Sequence, residues 1–275
     1  MADPLIFPRR GGSPVSRLCC VESVGILRWS RGEFSEVEDI VLEEATVEIY
    51  LNGEFLVRLQ ALPRDLAELG VGYVVSEGFS TAGRVRAWSS RGFKIEVQAE
   101  RLFSTEGTPS HTSSCGGGFV STVIPDWVRP FDPSEGPAIS PETVERASLV
   151  IMRGTELHRR TGATHVAGAF DPAGNPLFVY EDVGRHNAVD KVIGRVVMTN
   201  TRAGGLILAV SGRLTLEMAM KALRSGVRVL VSKSAPTSAA VRVARRFNLT
   251  LIGFARGNRF NVYSAPERLY LNPSA

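Results

Sequence analysis

Cys115 is the residue whose setting most suits chemistry at a thiol. It stands in Thr112-Ser-Ser-Cys-Gly-Gly-Gly-Phe119, among hydroxyls and glycines. A lone cysteine in a core strand is inert packing, whereas one in a polar, glycine-rich loop is expected to expose its thiol. The glycines Gly116 to Gly118 remove steric cover and let the backbone swing, which suits handing an atom from one protein to another. His111 is close enough in sequence to help ionise the thiol. Cys19 and Cys20 belong to an N-terminal tail and have no such context.

A second set of residues lies in four polar loops. They are Gly184-Arg185-His186-Asn187, Ser211-Gly212-Arg213, Ser232-Lys233-Ser234-Ala235-Pro236-Thr237-Ser238 and Ala255-Arg256-Gly257-Asn258-Arg259. Taken singly, a Ser or Thr before a helix is a cap and a basic side chain is solvated surface. Taken together at one edge, the hydroxyls, glycines and cations Arg185, Arg213, Lys233 and Arg256 form the chemistry of a phosphate or pyrophosphate site. No GxGxxG or GxxxxGK[ST] occurs at these turns, so neither a dinucleotide fingerprint nor a P-loop is supported. His165 and His186 fall near the same edge. No Cys or Asp/Glu surrounds them at ligand spacing, so zinc is not expected.

The elements that must position these residues are legible in the apolar pattern. Thr46 to Leu51 alternates with Val47, Ile49 and Leu51 on one face, and Glu54 to Leu59 with Phe55, Val57 and Leu59. Asn52-Gly53 between them suits a tight hairpin. Pro63 reads as an early helical residue ahead of Leu66, Leu69, Tyr73 and Val74, and Phe93, Ile95 and Val97 mark another strand. Ser140-Pro141-Glu142 opens a helix with a cap oxygen, a pre-set φ and an acidic first turn. Beyond it His165 to Phe170 and Leu177 to Tyr180 flank a turn. Then apolar strand, polar loop and helix repeat from Tyr180 to Phe254, and Phe260 to Tyr263 is expected to extend the last strand. Continuous Val/Ile/Leu strands between amphipathic helices mean a mostly parallel sheet covered on both faces. The expected organisation is a disordered tail over 1–20, a β-rich subdomain over 21–124 carrying the Cys115 loop, a proline-rich linker over 125–140 and an α/β domain over 141–275.

Composition narrows the function classes. The chain has 275 residues, three cysteines and a formal net charge of +4. Three cysteines make no disulfide framework, and a reducing compartment fits. No apolar run approaches the ~18 residues of a membrane span, and none follows Arg9-Arg10 to complete a secretion signal. The expectation is a cytoplasmic protein with no membrane contact. Arg242 to Arg246 lies on a helix face and reads as solvated surface, so no nucleic acid is expected.

Glu181-Asp-Val-Gly-Arg-His-Asn-Ala-Val-Asp-Lys-Val-Ile-Gly194 resembles a long signature of the formate dehydrogenase accessory sulfurtransferase family (FdhD/NarQ). Thr161-Gly-Ala-Thr-His165, Ser211-Gly-Arg213 with Glu217-Met218, Ser232-Lys-Ser-Ala-Pro-Thr237 and Gly253-Phe-Ala-Arg-Gly257 fit it too, as do Asn52-Gly53 and Gly72-Tyr-Val-Val-Ser-Glu-Gly78. The resemblance covers Val21 to Arg268. It implies an α/β fold with a cytidine-deaminase-like three-layer domain, a mixed, mostly parallel sheet, and a smaller β-rich α+β N-terminal subdomain. The zinc-ligand motifs of deaminases are absent, so deamination is disfavoured.

The resemblance also implies a sulfurtransferase that takes persulfide sulfur from a cysteine desulfurase on Cys115. The sulfur then passes to the molybdenum bis(molybdopterin guanine dinucleotide) cofactor of formate dehydrogenase, and the protein works as a homodimer. The segment Phe254, Ala255, Arg256, Gly257, Asn258 and Arg259 is the expected cofactor contact, with Arg185, His186, Ser211, Arg213, Lys233 and Thr237 beside it. The family usually shows Cys-x-x-Cys where this chain has Cys115 and Gly118. The alternative reading is a chaperone that binds the molybdenum cofactor without transferring sulfur. A nucleotide-processing enzyme is the third.

Overall fold

The structure, a computed structural model, describes residues 20–102 and 125–270. Cys19, and Cys115 with its glycine-rich loop, lie outside the described residues. Strands β1 (Val21–Ser30) and β2 (Glu33–Leu42) pair as a two-stranded hairpin. Cys20, expected in the tail, instead is buried against Leu62 and Leu157, and its carbonyl accepts from Glu43 N–H.

Strands β3 (Ala45–Leu51) and β4 (Glu54–Ala61) turn at Asn52-Gly53, where φ is 54° and 83°, the two positive values that a tight hairpin demands. Helix α1 (Leu66–Ser76) and strands β5 (Val85–Arg91) and β6 (Lys94–Ala99) complete a sheet of order β4-β3-β6-β5. Val47, Ile49, Leu51, Val57 and Leu59 bury against α1. Phe55 does not join them. A register shift at Ile49/Tyr50 turns it out to 52% exposure, edge-on to Tyr50. Pro63 also falls outside the helix, which starts after Asp65 in the left-handed region.

Residues 125–140 are not a detached linker. Val128 is buried, and Trp127 and Phe131 pack on the same core. Helices α2 (Pro141–Arg153) and α3 (Glu156–Thr161) follow, then strands β7 (His165–Phe170) and β8 (Pro176–Asp182). Helix α4 (Arg185–Met198), β9 (Ile207–Val210), α5 (Leu216–Arg224), β10 (Val229–Ser232), α6 (Ser238–Arg246), β11 (Thr250–Arg256) and β12 (Arg259–Ser264) complete the order. Ser140 caps α2 by accepting from Thr143 N–H, as its sequence predicts.

These strands form one mixed sheet, β12-β11-β10-β9-β7-β8. Strands β8 to β11 share a direction, and β7 is inserted antiparallel between β8 and β9. β12 does not prolong β11. It doubles back across Gly257-Asn258 as an antiparallel edge. Both faces are covered, which is why the strands lack polar alternation. Ala167, Leu208, Val210, Leu230 and Leu251 meet α4, α5 and α6, while Val166, Ile207, Val229 and Ile252 meet α2.

Helix α1 joins the four-stranded sheet to the six-stranded one by lying directly on α4. A Cβ built on Gly72 falls 1.7 Å from the Asp190 carbonyl oxygen, and one on Gly194 falls 1.9 Å from that of Glu68. The backbones touch there, and only glycine permits it. No helix among the described residues is long and apolar enough to cross a membrane.

Candidate functional site

The polar loops converge on one edge of the six-stranded sheet. Since β8, β9, β10 and β11 run the same way, their carboxyl ends lie together, and the start of antiparallel β7 lies among them. Along the edge the order is Arg256, then Lys233, then Ser211, His165 and finally Arg185. That span is about 19 Å at ~4.8 Å per strand.

Hydrogen bonds tie neighbouring loops into one surface. Ser232 Oγ donates to the Gly212 carbonyl at 2.6 Å and Ser234 Oγ to that of Ser211 at 3.0 Å. Phe254 N–H donates to the Ser234 carbonyl at 3.0 Å and Arg256 Nε to that of Lys233 at 2.9 Å. Phe254 has φ 52°, a left-handed conformation uncommon for a bulky side chain. Such strain collects at functional sites. It turns the chain so that Arg256 and Arg259 stand opposite each other across the Gly257-Asn258 turn, both exposed. Like charges opposite each other repel unless an anion lies between them.

The other end of the edge is built around histidine and a carboxylate. Arg185 lies over the Gly212 backbone, where an added Cβ would sit 3.1 Å from the arginine side chain. His165 Nδ1 is 3.4 Å from Ser211 Oγ, which accepts from Val166 N–H at 2.9 Å. Burial, and then the positive charge of Arg185, His158, Lys233 and His186, holds the His165 imidazole below its ordinary value. His186 Nε2 lies 3.4 Å from Glu217 Oε2, and Thr215 Oγ1 donates to that same oxygen at 3.0 Å. His186, against the opposing effect of burial, holds the Glu217 carboxyl below its usual range.

The Glu181–Gly194 run divides into two jobs. Glu181 and Asp182 are buried and satisfied. Glu181 accepts from His158 N–H and from Thr155 and Thr164 hydroxyls, and pairs with Arg64. Asp182 accepts from Leu62 N–H, Gly184 N–H and Asn187 Nδ2, and lies 2.7 Å from Lys191 Nζ. These residues fix the start of α4 against the chain after β4, leaving Arg185 and His186 facing the edge loops. Loop reading alone did not find the His186–Glu217 pair or the Asp182 anchor. The signal for the anchor was two acids ending an apolar strand, a place where a carboxylate needs partners.

Not every expected contact residue presents its side chain. Ala255 is 1% exposed and packs on the α2 side of the core, so only its backbone faces the edge. Thr237 is the α6 cap, accepting from Ala240 N–H. Ser211 and Arg185 are largely buried beneath the surface that Arg213, Arg256, Asn258 and Arg259 expose. Among the described residues no group of His, Cys, Asp and Glu is arranged to hold a metal ion.

A family model, the FdhD/NarQ family, matches residues 42–270. The chain belongs to this family. Relatives span it nearly end to end. The protein FdhD of Methanocaldococcus jannaschii is 31% identical over 89% of this chain and 97% of its own length. The sulfur carrier protein FdhD of Bacillus subtilis is 32% identical over 89% of this chain and 95% of its own. A solved structure, of a protein assigned as a formate dehydrogenase accessory protein from Desulfotalea psychrophila, superposes with a TM-score of 0.78 at 25% identity. It covers 92% of this chain and 100% of that one. In this family member the strained Phe254 turn and the basic edge thus lie on a shared scaffold.

Proposed function

We propose that this chain is a sulfur carrier in formate dehydrogenase maturation, with Cys115 as the residue that bears the sulfur. The observation that carries the reading is the near full-length match to relatives named sulfur carrier proteins. As a sulfurtransferase, the protein takes its sulfur from a cysteine desulfurase. The Cys115 thiolate attacks the outer sulfur of the donor's persulfide, a new S–S bond forms on Cys115, and the donor cysteine leaves as thiolate. No electrons are gained or lost in that step.

The acceptor is the molybdenum bis(molybdopterin guanine dinucleotide) cofactor, a substrate here rather than a resident group. Its two pyrophosphates suit an edge with cations at both ends, Arg185 and Arg213 toward one side and Arg256 and Arg259 at the other. Release of sulfur as sulfide consumes two electrons. With Gly118 where the family usually has a second cysteine, two equivalents of an external thiol supply them through a mixed disulfide on Cys115. The protein acts as a homodimer and works with the formate dehydrogenase catalytic subunit.

Incubation with a cysteine desulfurase and cysteine, followed by intact mass measurement, is expected to add one sulfur to the chain and none to Cys115→Ala. In cells, Cys115→Ala is expected to leave formate dehydrogenase inactive. Equal sulfur loading of the variant would overturn the assignment of Cys115. Full activation of formate dehydrogenase by the variant would favour a cofactor chaperone that needs only the basic edge.

A further inference from the structure

Strands β1 and β2 form a sheet of two, with no third strand among the described residues. Its base is anchored by Cys20, Leu62 and Leu157. Its tip is not: Leu27, Trp29 and Phe34 are 54%, 60% and 66% exposed, the two rings 4.8 Å apart. An isolated hairpin is marginally stable in water, and an unpaired strand edge is a template for another strand.

The ladder identifies which backbone groups are open. Ser30 and Glu33 close the two-residue turn as a hydrogen-bonded pair, so even-numbered β1 residues direct their N–H and C=O toward β2. The Cys20 carbonyl, accepting from Glu43 N–H at 2.9 Å, is in the same phase. The backbone groups of Val21, Ser23, Gly25, Leu27 and Trp29 therefore point away from β2.

Charge then separates the two edges. Strand β2 carries Glu33, Glu36, Glu38 and Asp39, so pairing it with a copy of itself sets carboxylates near carboxylates. Strand β1 carries one acid, Glu22, and one base, Arg28, evenly disposed about Gly25. An antiparallel pairing of β1 with itself about Gly25 sets Glu22 against the partner's Arg28, and Val24 against the partner's Ile26, each twice. In that register Gly25, Ser23 and Leu27 make the hydrogen-bonded pairs, which are the groups β2 leaves open. Trp29 gains an apolar neighbour in the partner's Val21 at the hairpin base. Arg28 now lies 3.5 Å from Asp39, both about half exposed, a kind of pair that exchanges at little cost.

We propose that β1 is the pairing edge of a two-fold homodimer, two hairpins joining into one four-stranded antiparallel sheet of order β2-β1-β1-β2 centred on Gly25. This deepens the dimer of the preceding reading and does not depend on the sulfur chemistry. Sedimentation equilibrium on the full chain tests it. The wild type is expected to dimerise reversibly. Arg28→Glu places two carboxylates against each other twice and is expected to weaken the dimer by about tenfold or more. The double variant Glu22→Arg/Arg28→Glu is expected to restore it. Gly25→Pro removes an outward N–H without touching the β1–β2 ladder, and is expected to be monomeric with an unchanged circular dichroism spectrum. A monomeric wild type, a dimer indifferent to Arg28→Glu, or a double variant that stays monomeric would each overturn the proposal. Failed sulfur loading of Cys115 bears on the carrier reading and leaves this dimer untouched.

Discussion

At the scale of the residue, the edge is a place where positive charge is concentrated and the charged form of one imidazole is disfavoured. His165 is flanked by Arg185, Lys233, His158 and His186, and burial adds to the penalty for protonating it. Its folded pKa is therefore below the ordinary 6.5. The unfolded chain takes that proton first, so stability is flat above the ordinary value and falls as pH drops from there toward the folded one. His165→Asn is expected to lose this decline, read as a flatter urea-unfolding midpoint across that interval. If the variant keeps the wild-type slope, His165 is not the group responsible. The residue types of this edge were legible in the sequence because they break the apolar pattern at strand ends. The His186–Glu217 pair was not, because its members sit in the first turns of two different helices, α4 and α5, which are brought together only by the sheet beneath them.

The element that decides how the two sheets sit is the α1–α4 crossing. Gly72 and Gly194 each face a carbonyl oxygen of the opposite helix at a distance no Cβ tolerates. Alanine favours an isolated helix over glycine by about 1 kcal/mol. Overpacking against an unyielding backbone costs ~1–3 kcal/mol and often more. The clash wins. Gly72→Ala is expected to destabilise the protein by roughly 2 kcal/mol in denaturant unfolding, where propensity alone predicts a gain. Periodicity exposed α1, α2 and α4 and the Asn52-Gly53 hairpin, because each is specified by residues local in the chain. It missed the outward turn of Phe55 and the reversal of β12. Both are set by register, a relation between strands that no single window contains. The antiparallel insertion of β7 between β8 and β9 was hidden for the same reason.

At the scale of the whole molecule, the two halves are joined by buried charge as well as by the helix crossing. Lys221 of α5 is 1% exposed, and its Nζ lies 2.6 Å from Glu77 Oε1, 2.7 Å from Asp190 Oδ1 and 2.9 Å from Ser76 Oγ. Ser76 ends α1, Glu77 follows it, and Asp190 belongs to α4, so one ammonium ties together three helices. Burial opposes its charge, but Asp190 and Glu77 outweigh that and raise the Lys221 pKa. Assembling such a group gains little over an apolar core, whereas removing one member strands the rest. Lys221→Met leaves Asp190 and Glu77 buried, with Arg224 Nη1 3.5 Å from Glu77 as the remaining cation of the group. The expected loss is on the order of 3–5 kcal/mol, a large part of an ordinary domain's ~5–15 kcal/mol. The pH dependence identifies the cause. Burial already raises the Asp190 carboxyl, with Lys221 opposing it, so the variant's carboxyl rises further. A raised carboxyl lets the folded state take up a proton before the unfolded chain does, and stability then improves as pH falls through that raised pKa toward the ordinary carboxylate value. The gap between wild type and Lys221→Met is therefore expected to be widest at neutral pH and to narrow in mild acid, measured by urea unfolding at both. A gap that stays constant would assign the loss to packing of the lysine stem rather than to stranded charge.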